Sequence, residues 1–188
     1  PKEFGSMASH SLASLTNPFV YLISTHHEGR DNALVATWVV SAKLVEHKGR
    51  VMVALSPSSL TAELVQASRR FAVQLLSEGQ HDLVARLGLS SGREADKLDG
   101  LERARTNRGL PLVSGTCGWA DCDATIATGT DERLVCLGRV VEEEVYPDRR
   151  PLTFGMVTQA LPEATLRAIE AQRTRDAESD WPNGSTEF

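Results

Sequence analysis

The chain has 188 residues, of which 41% are hydrophobic, with a net charge of -5, three cysteines and five histidines. That size suits one globular domain with a real buried core, and the acidic balance without a Lys/Arg-rich stretch excludes a general nucleic-acid binder. No apolar run approaches the roughly 20 residues that span a bilayer and no charged start leads into an apolar segment, so a cytoplasmic protein without membrane contact is expected.

The opening PKEFGS, residues 1–6, reads as a cloning remnant ahead of Met7, and residues 7–16 as a flexible start. Residues 19–25 (FVYLIST) form an apolar run that ends in the polar connection His26-His27-Glu28-Gly29-Arg30-Asp31-Asn32 before the apolar pattern resumes over 33–40. This predicts a hairpin. In the stretch 32–44 (NALVATWVVSAKL), Thr37, Trp38 and Ser41 interrupt a β-branched run with hydrogen-bonding groups. Such a strand can offer backbone amides at Val35, Ala36 and Thr37 to a flat polar ligand while Trp38 packs on it. Plain strand packing explains the same residues, because Thr and Trp are good β formers.

Residues 50–55 (RVMVAL) and 71–76 (FAVQLL) suit buried strands, and the segment 60–68 between them places Leu60, Leu64 and Val65 on one helical face. Ser56-Pro57-Ser58-Ser59-Leu60-Thr61 leads into that helix. Hydroxyls beside the open amides of a helix start make an anion site. N-capping by Ser58 or Ser59 would need only one of them.

Ser77-Glu78-Gly79-Gln80 fits a capping box, predicting a helix over 78–87 that Gly88 ends in the left-handed conformation. Residues 89–108 are polar and aperiodic, a length that points to a functional loop. Within them Arg93 and Lys97 are four apart, so one helical turn would set both cations on one side to clamp a phosphate. With Glu94 and Asp96 as partners the same run is a solvated face.

Residues 117–128 and 133–145 frame Gly129-Thr130-Asp131-Glu132 and predict a second hairpin. Pro162 opens a helix over 162–173 with Leu166 and Ile169 on its apolar side, and residues 176–188 read as a loose tail. Cys117, Cys122 and Cys136 lack zinc-site spacing and are expected as reduced, buried thiols; the histidines suggest no metal site. Many short strands with a few helices predict a mainly β protein with flanking helices, closed or nearly closed as an antiparallel barrel.

The order of these segments, a strand with a Thr-Trp step, a Ser-rich helix entry, FAVQLLSEGQHDLVARLG, SGREADKLDGL, GLPLVSG and a late hairpin, resembles the flavin reductase-like family over about residues 17–145. The resemblance implies a homodimeric split antiparallel β-barrel of Greek-key type over 17–146, with a helical extension over 147–175 packing on the barrel or the dimer partner. It implies FMN as cofactor, FAD as second choice, and hydride passed from NADH or NADPH to flavin. A flavin-dependent oxygenase or another redox protein is the implied partner. No catalytic side chain is required, because the isoalloxazine itself accepts hydride. By position, Asn32, Val35, Ala36, Thr37, Trp38 and Ser41 would hold the isoalloxazine and ribityl chain. Ser56, Ser58, Ser59 and Thr61 would line the ribityl-phosphate path, and Arg93 with Lys97 would meet the phosphate. The chain departs from the family at Val35, where Thr is frequent, and at Ser56, where Asn is common. Its Gly129-Thr130-Asp131-Glu132-Arg133 stands where many reductases carry Gly-Asp-His. A flavin carrier or redox partner that does not use NAD(P)H directly is the alternative.

Overall fold

The structure, a computed structural model, describes residues 15–42, 49–129 and 133–180. Strands β1 (Tyr21–His27) and β2 (Arg30–Ala36) form the first predicted hairpin, in register from Tyr21 opposite Ala36 to His27 opposite Arg30. Only Glu28 and Gly29 connect them, both at positive φ (46° and 79°). Such a turn matches the right-handed twist of the flanking strands.

The chain continues through β3 (Val39–Ser41), β4 (Arg50–Leu55), α1 (Leu60–Ser68), β5 (Arg70–Leu75), α2 (His81–Gly88), β6 (Arg103–Arg105) and β7 (Pro111–Val113). It ends in the long hairpin β8 (Gly118–Gly129) and β9 (Leu134–Val145), then α3 (Phe154–Ala160) and α4 (Glu163–Asp180). The turn between β8 and β9 lies outside the described residues. Seven antiparallel strands form one sheet in the order β2-β1-β5-β8-β9-β4-β3. Its two edges, β2 and β3, are joined by Thr37 and Trp38 alone. The step from Ala36 to Val39 spans at most about 11 Å. The end of one edge therefore lies near the start of the other, and the sheet curls into a half-open barrel.

That curl corrects the expectation of one continuous strand over 33–40. The chain leaves one edge at Ala36 and joins the other at Val39, and the Trp38 carbonyl accepts from Ala54 N at 3.1 Å. Consecutive residues of β1 face opposite ways. Ile23 enters the barrel cluster with Val53, Phe71, Cys122 and Cys136, whereas Leu22 packs outward with Leu76, Leu83, Leu87 and Leu98 beneath the helices.

Helix α1 begins as expected, with Ser59 Oγ accepting from Ala62 N at 3.1 Å. Helix α2 starts later than the capping-box pattern predicts. Gln80 does reach back, its Oε1 accepting from Ser77 N at 2.9 Å, but the Ser77 hydroxyl donates to Gly115 O at 2.6 Å instead of capping the helix. Gly88 is the last helical residue and is not left-handed. Ile169 of α4 packs over it, at a distance of 3.5 Å from where a Cβ would stand. Helix α3 falls within the expected helical extension 147–175, and α4 extends to Asp180, past the expected end at 173.

The long 89–108 segment makes successive turns and then pairs β6 with β7. It is bound to the barrel by a charged lock. Asp121 is fully buried on β8, accepts from Thr106 Oγ1 at 2.7 Å and pairs with Arg108. Arg108 also donates to Asp123 at 2.6 Å, and Arg139 pairs with Asp123. These hydrogen bonds push the Arg108 guanidinium up and, led by the bond from Arg108, hold the Asp123 carboxyl below its usual value. All three cysteines are free and buried, as expected, and burial pushes Cys122 up to about 12 and Cys136 up to about 11. No described helix is long and apolar enough to cross a membrane.

Candidate functional site

A cleft of about 450 Å³ opens where four parts of the fold meet: the β2–β3 step, the start of α1, the turns after α2, and α4. Its volume is that of a small-molecule site. The deepest polar pair on its wall is Asn32 and Thr61, 3% and 1% exposed, with Asn32 Nδ2 donating to Thr61 Oγ1 at 3.0 Å. Gly92 lies directly against this pair. A Cβ at Gly92 would fall 2.2 Å from Asn32 Oδ1, so the turn can approach only as glycine. Arg30 fixes the turn by donating from Nη2 to Gly92 O at 2.8 Å.

The start of α1 forms the adjoining wall. Ser56, Ser59, Leu60 and Thr61 line the cleft there. Ser59 Oγ donates to Ser56 O at 2.8 Å as well as capping Ala62 N, and Ser56 and Ser58 hydroxyls lie 3.2 Å apart. A helix start presents N–H groups without intrahelical partners and a partial positive charge. This wall is suited to an anion.

Val35, Ala36, Thr37 and Trp38 line the cleft, so the β2–β3 step is brought to it as expected. Trp38 is 57% exposed, and the Arg133 guanidinium lies 4.8 Å from its ring centre in a cation–π contact. Ser41 lies on β3, exposed and outside the cleft lining, and Ser58 is also outside it, with its hydroxyl beside that of Ser56. The two expected cations separate. Residues 91–100 form turns, not a helix, so their four-residue spacing does not align them. Lys97 lines the cleft and its Nζ donates to Leu87 O at 2.9 Å, at the α2 end where a cation is favoured. Arg93 faces a neighbouring depression, donating to Glu63 at 2.9 Å and to Ser58 O at 3.1 Å.

Sequence reasoning missed Arg133, Phe154 and the α4 residues Ile169, Glu170, Gln172 and Thr174, all on the cleft lining. The amphipathic signal at Leu166 and Ile169 marked a helix but carried no information on where it docks. Among the described residues, no three or more His, Cys, Asp or Glu side chains gather as a metal site.

A family model described as flavin reductase like domain matches residues 13–159. A high molecular weight rubredoxin of Moorella thermoacetica is 28% identical over 74% of this chain and 61% of its own length. A flavin-dependent monooxygenase reductase subunit, HsaB, of Mycobacterium tuberculosis is 32% identical over 56% of this chain and 57% of its own. The chain thus spans about three-fifths of the length of these relatives. Among solved structures, a homologue of nitrilotriacetate monooxygenase component B from Mycobacterium thermoresistibile is 28% identical, with a TM-score of 0.66 over 74% of this chain and 76% of that one. An FMN-binding protein from Thermus thermophilus, 23% identical with a TM-score of 0.66 over 79% and 80%, shares the fold. With well over half of its length matched, and its curled antiparallel sheet shared with these structures, the chain belongs to the flavin reductase like family.

Proposed function

We propose that the cleft binds a flavin, FMN first and FAD second, and that the protein passes hydride from NADH or NADPH to it. The observation that carries this reading is the cleft wall itself: a buried Asn32–Thr61 pair and a Ser-capped helix start on one side, the open backbone step at Thr37 and Trp38 on another. The residues fit the group. The Gly92 cradle, the hydroxyls and the Lys97 cation match a ligand with a flat polar ring, a polyol chain and a phosphate.

When bound, flavin supplies the hydride-accepting ring, and the protein supplies binding and orientation. In this reading Asn32, Val35, Ala36, Thr37 and Trp38 hold the ring. Ser56, Ser59 and Thr61 with the α1 amides and Lys97 hold the ribityl phosphate. Ser58 and Arg93 act from behind, since Arg93 ties Ser58 O to Glu63 of α1 and so steadies the helix start. Ser41, on β3, is left without a ring contact. Holding donor and acceptor in register is itself a large part of catalysis for such a transfer.

Similarity to oxygenase reductase subunits supports a flavin-dependent oxygenase as the partner that takes the reduced flavin. A homodimer is supported by an exposed apolar row across three strands, in which Val40 lies opposite Met52 and Met52 opposite Leu137. Three buried free thiols suit a reducing compartment, the cytoplasm. The missing histidine in Gly129-Thr130-Asp131-Glu132-Arg133 favours a second reading, a flavin carrier reduced by another protein. Anaerobic mixing of the flavin-loaded protein with NADH and with NADPH separates the two. Bleaching of the flavin band by either nucleotide supports the reductase, and a band indifferent to both supports the carrier.

A further inference from the structure

The family match ends at residue 159, yet the cleft does not end there: α4, residues Glu163–Asp180, supplies part of its lining. This helix is overwhelmingly polar, and its apolar anchors are Leu166 and Ile169, which pack on the cluster that includes Leu83, Val84 and Leu87 of α2. Ile169 rests over Gly88, where a Cβ would lie 3.5 Å from it. Beyond Ile169 the part of the helix that meets the cleft is polar: the side chains of Glu170, Gln172 and Thr174 line the cleft. The helix thus meets the cleft with its apolar anchor Ile169 and with the polar side chains that follow it.

The docked end of α4 also adjoins Lys97, one of the cleft's cations. Lys97 Nζ is held by Leu87 O, the residue next to the Gly88 on which Ile169 sits. A helix held by two partly buried aliphatic side chains is an element of low local stability, able to open without unfolding the barrel.

We propose that α4 is a retaining wall of the flavin site in this chain: docked through Ile169 on Gly88, it encloses the bound flavin with Gln172 and Thr174 and sets the rate at which flavin leaves. The inference rests on the cleft being a flavin site. It names the element that decides between a flavin kept as a bound group and one released as a product.

The test is stopped-flow measurement of FMN release from the full chain, followed by the rise of flavin fluorescence on dilution. Ile169→Ala is expected to raise the dissociation rate about tenfold while the association rate changes far less, since changes within one binding site fall mainly on dissociation. Gln172→Ala combined with Thr174→Ala, which removes no core contact, is expected to raise it several-fold with the melting temperature unchanged. Should Ile169→Ala fail to fold, the double variant decides alone. Wild-type release rates in folded variants would overturn the wall and leave the flavin site standing. A wild-type chain that takes up no FMN would overturn both.

Discussion

Asp121 and Asn32 are buried polar side chains on strands of the same sheet, 0% and 3% exposed, but their surroundings differ in kind. Asp121 is charged and enclosed: Thr106 and Arg108 take its oxygens, and Arg108 and Arg139 continue the network to Asp123. Asn32 is neutral and stands on a cavity wall, bonded to Thr61 with a glycine turn laid against it. A buried charge with close partners fastens one part of a fold to another. A neutral hydrogen-bonding pair kept at a cavity beside a helix start is equipment for recognition.

The largest effect should come from breaking the lock. Arg108→Ala leaves the Asp121 carboxylate buried without its cation, which is expected to cost about 3–5 kcal/mol in denaturant unfolding. FMN affinity of the remaining folded protein should hardly change; a cost under about 1 kcal/mol would place Asp121 with the surface pairs instead. Gly92→Ala is the converse experiment. Its Cβ would sit 2.2 Å from Asn32 Oδ1, so the turn or the Asn32–Thr61 pair must shift, with an expected tenfold or greater loss of FMN affinity, about 1.4 kcal/mol, and little change in unfolding. Unchanged FMN affinity would remove Asn32 from the site.

A smaller effect separates the phosphate from the ring. Lys97→Ala should weaken FMN by about 1 kcal/mol more than riboflavin, because only FMN carries the anion that Lys97 and the α1 start would meet. Equal losses would show that Lys97 acts through its bond to Leu87 O. The smallest effect concerns pH. Arg108 and Arg139 keep Asp123 ionised to lower pH in the folded than in the unfolded chain, so its contribution is present above about pH 4 and is lost as pH falls through the folded value. Asp123→Asn should show a shallower loss of stability in that acid range; since Asp123 is 35% exposed, solvent screening keeps the difference slight.

Local features were legible in the sequence. The β1–β2 hairpin, α1 with its Ser59 cap and the β8–β9 hairpin follow from patterns within a few residues. Features set by closure of the sheet were not. Nothing in VATWVV shows that the strand must change edges at Thr37 and Trp38, because that step exists only once the curled sheet brings the end of β2 near the start of β3. Likewise the Arg93–Lys97 spacing assumed a helix that the turns of 91–100 do not form, and Glu63, thirty positions away, takes Arg93. The α4 wall lies more than a hundred residues from Trp38 on the same cleft.

Fluorescence titration of FMN into the purified full chain, with Gly92→Ala measured beside it, tests the cleft most directly. The predicted result is saturable quenching at one flavin per chain for the wild type and markedly weaker binding for Gly92→Ala. A colourless protein that leaves FMN fluorescence unchanged, or equal binding by both chains, would contradict the assignment of this cleft to flavin.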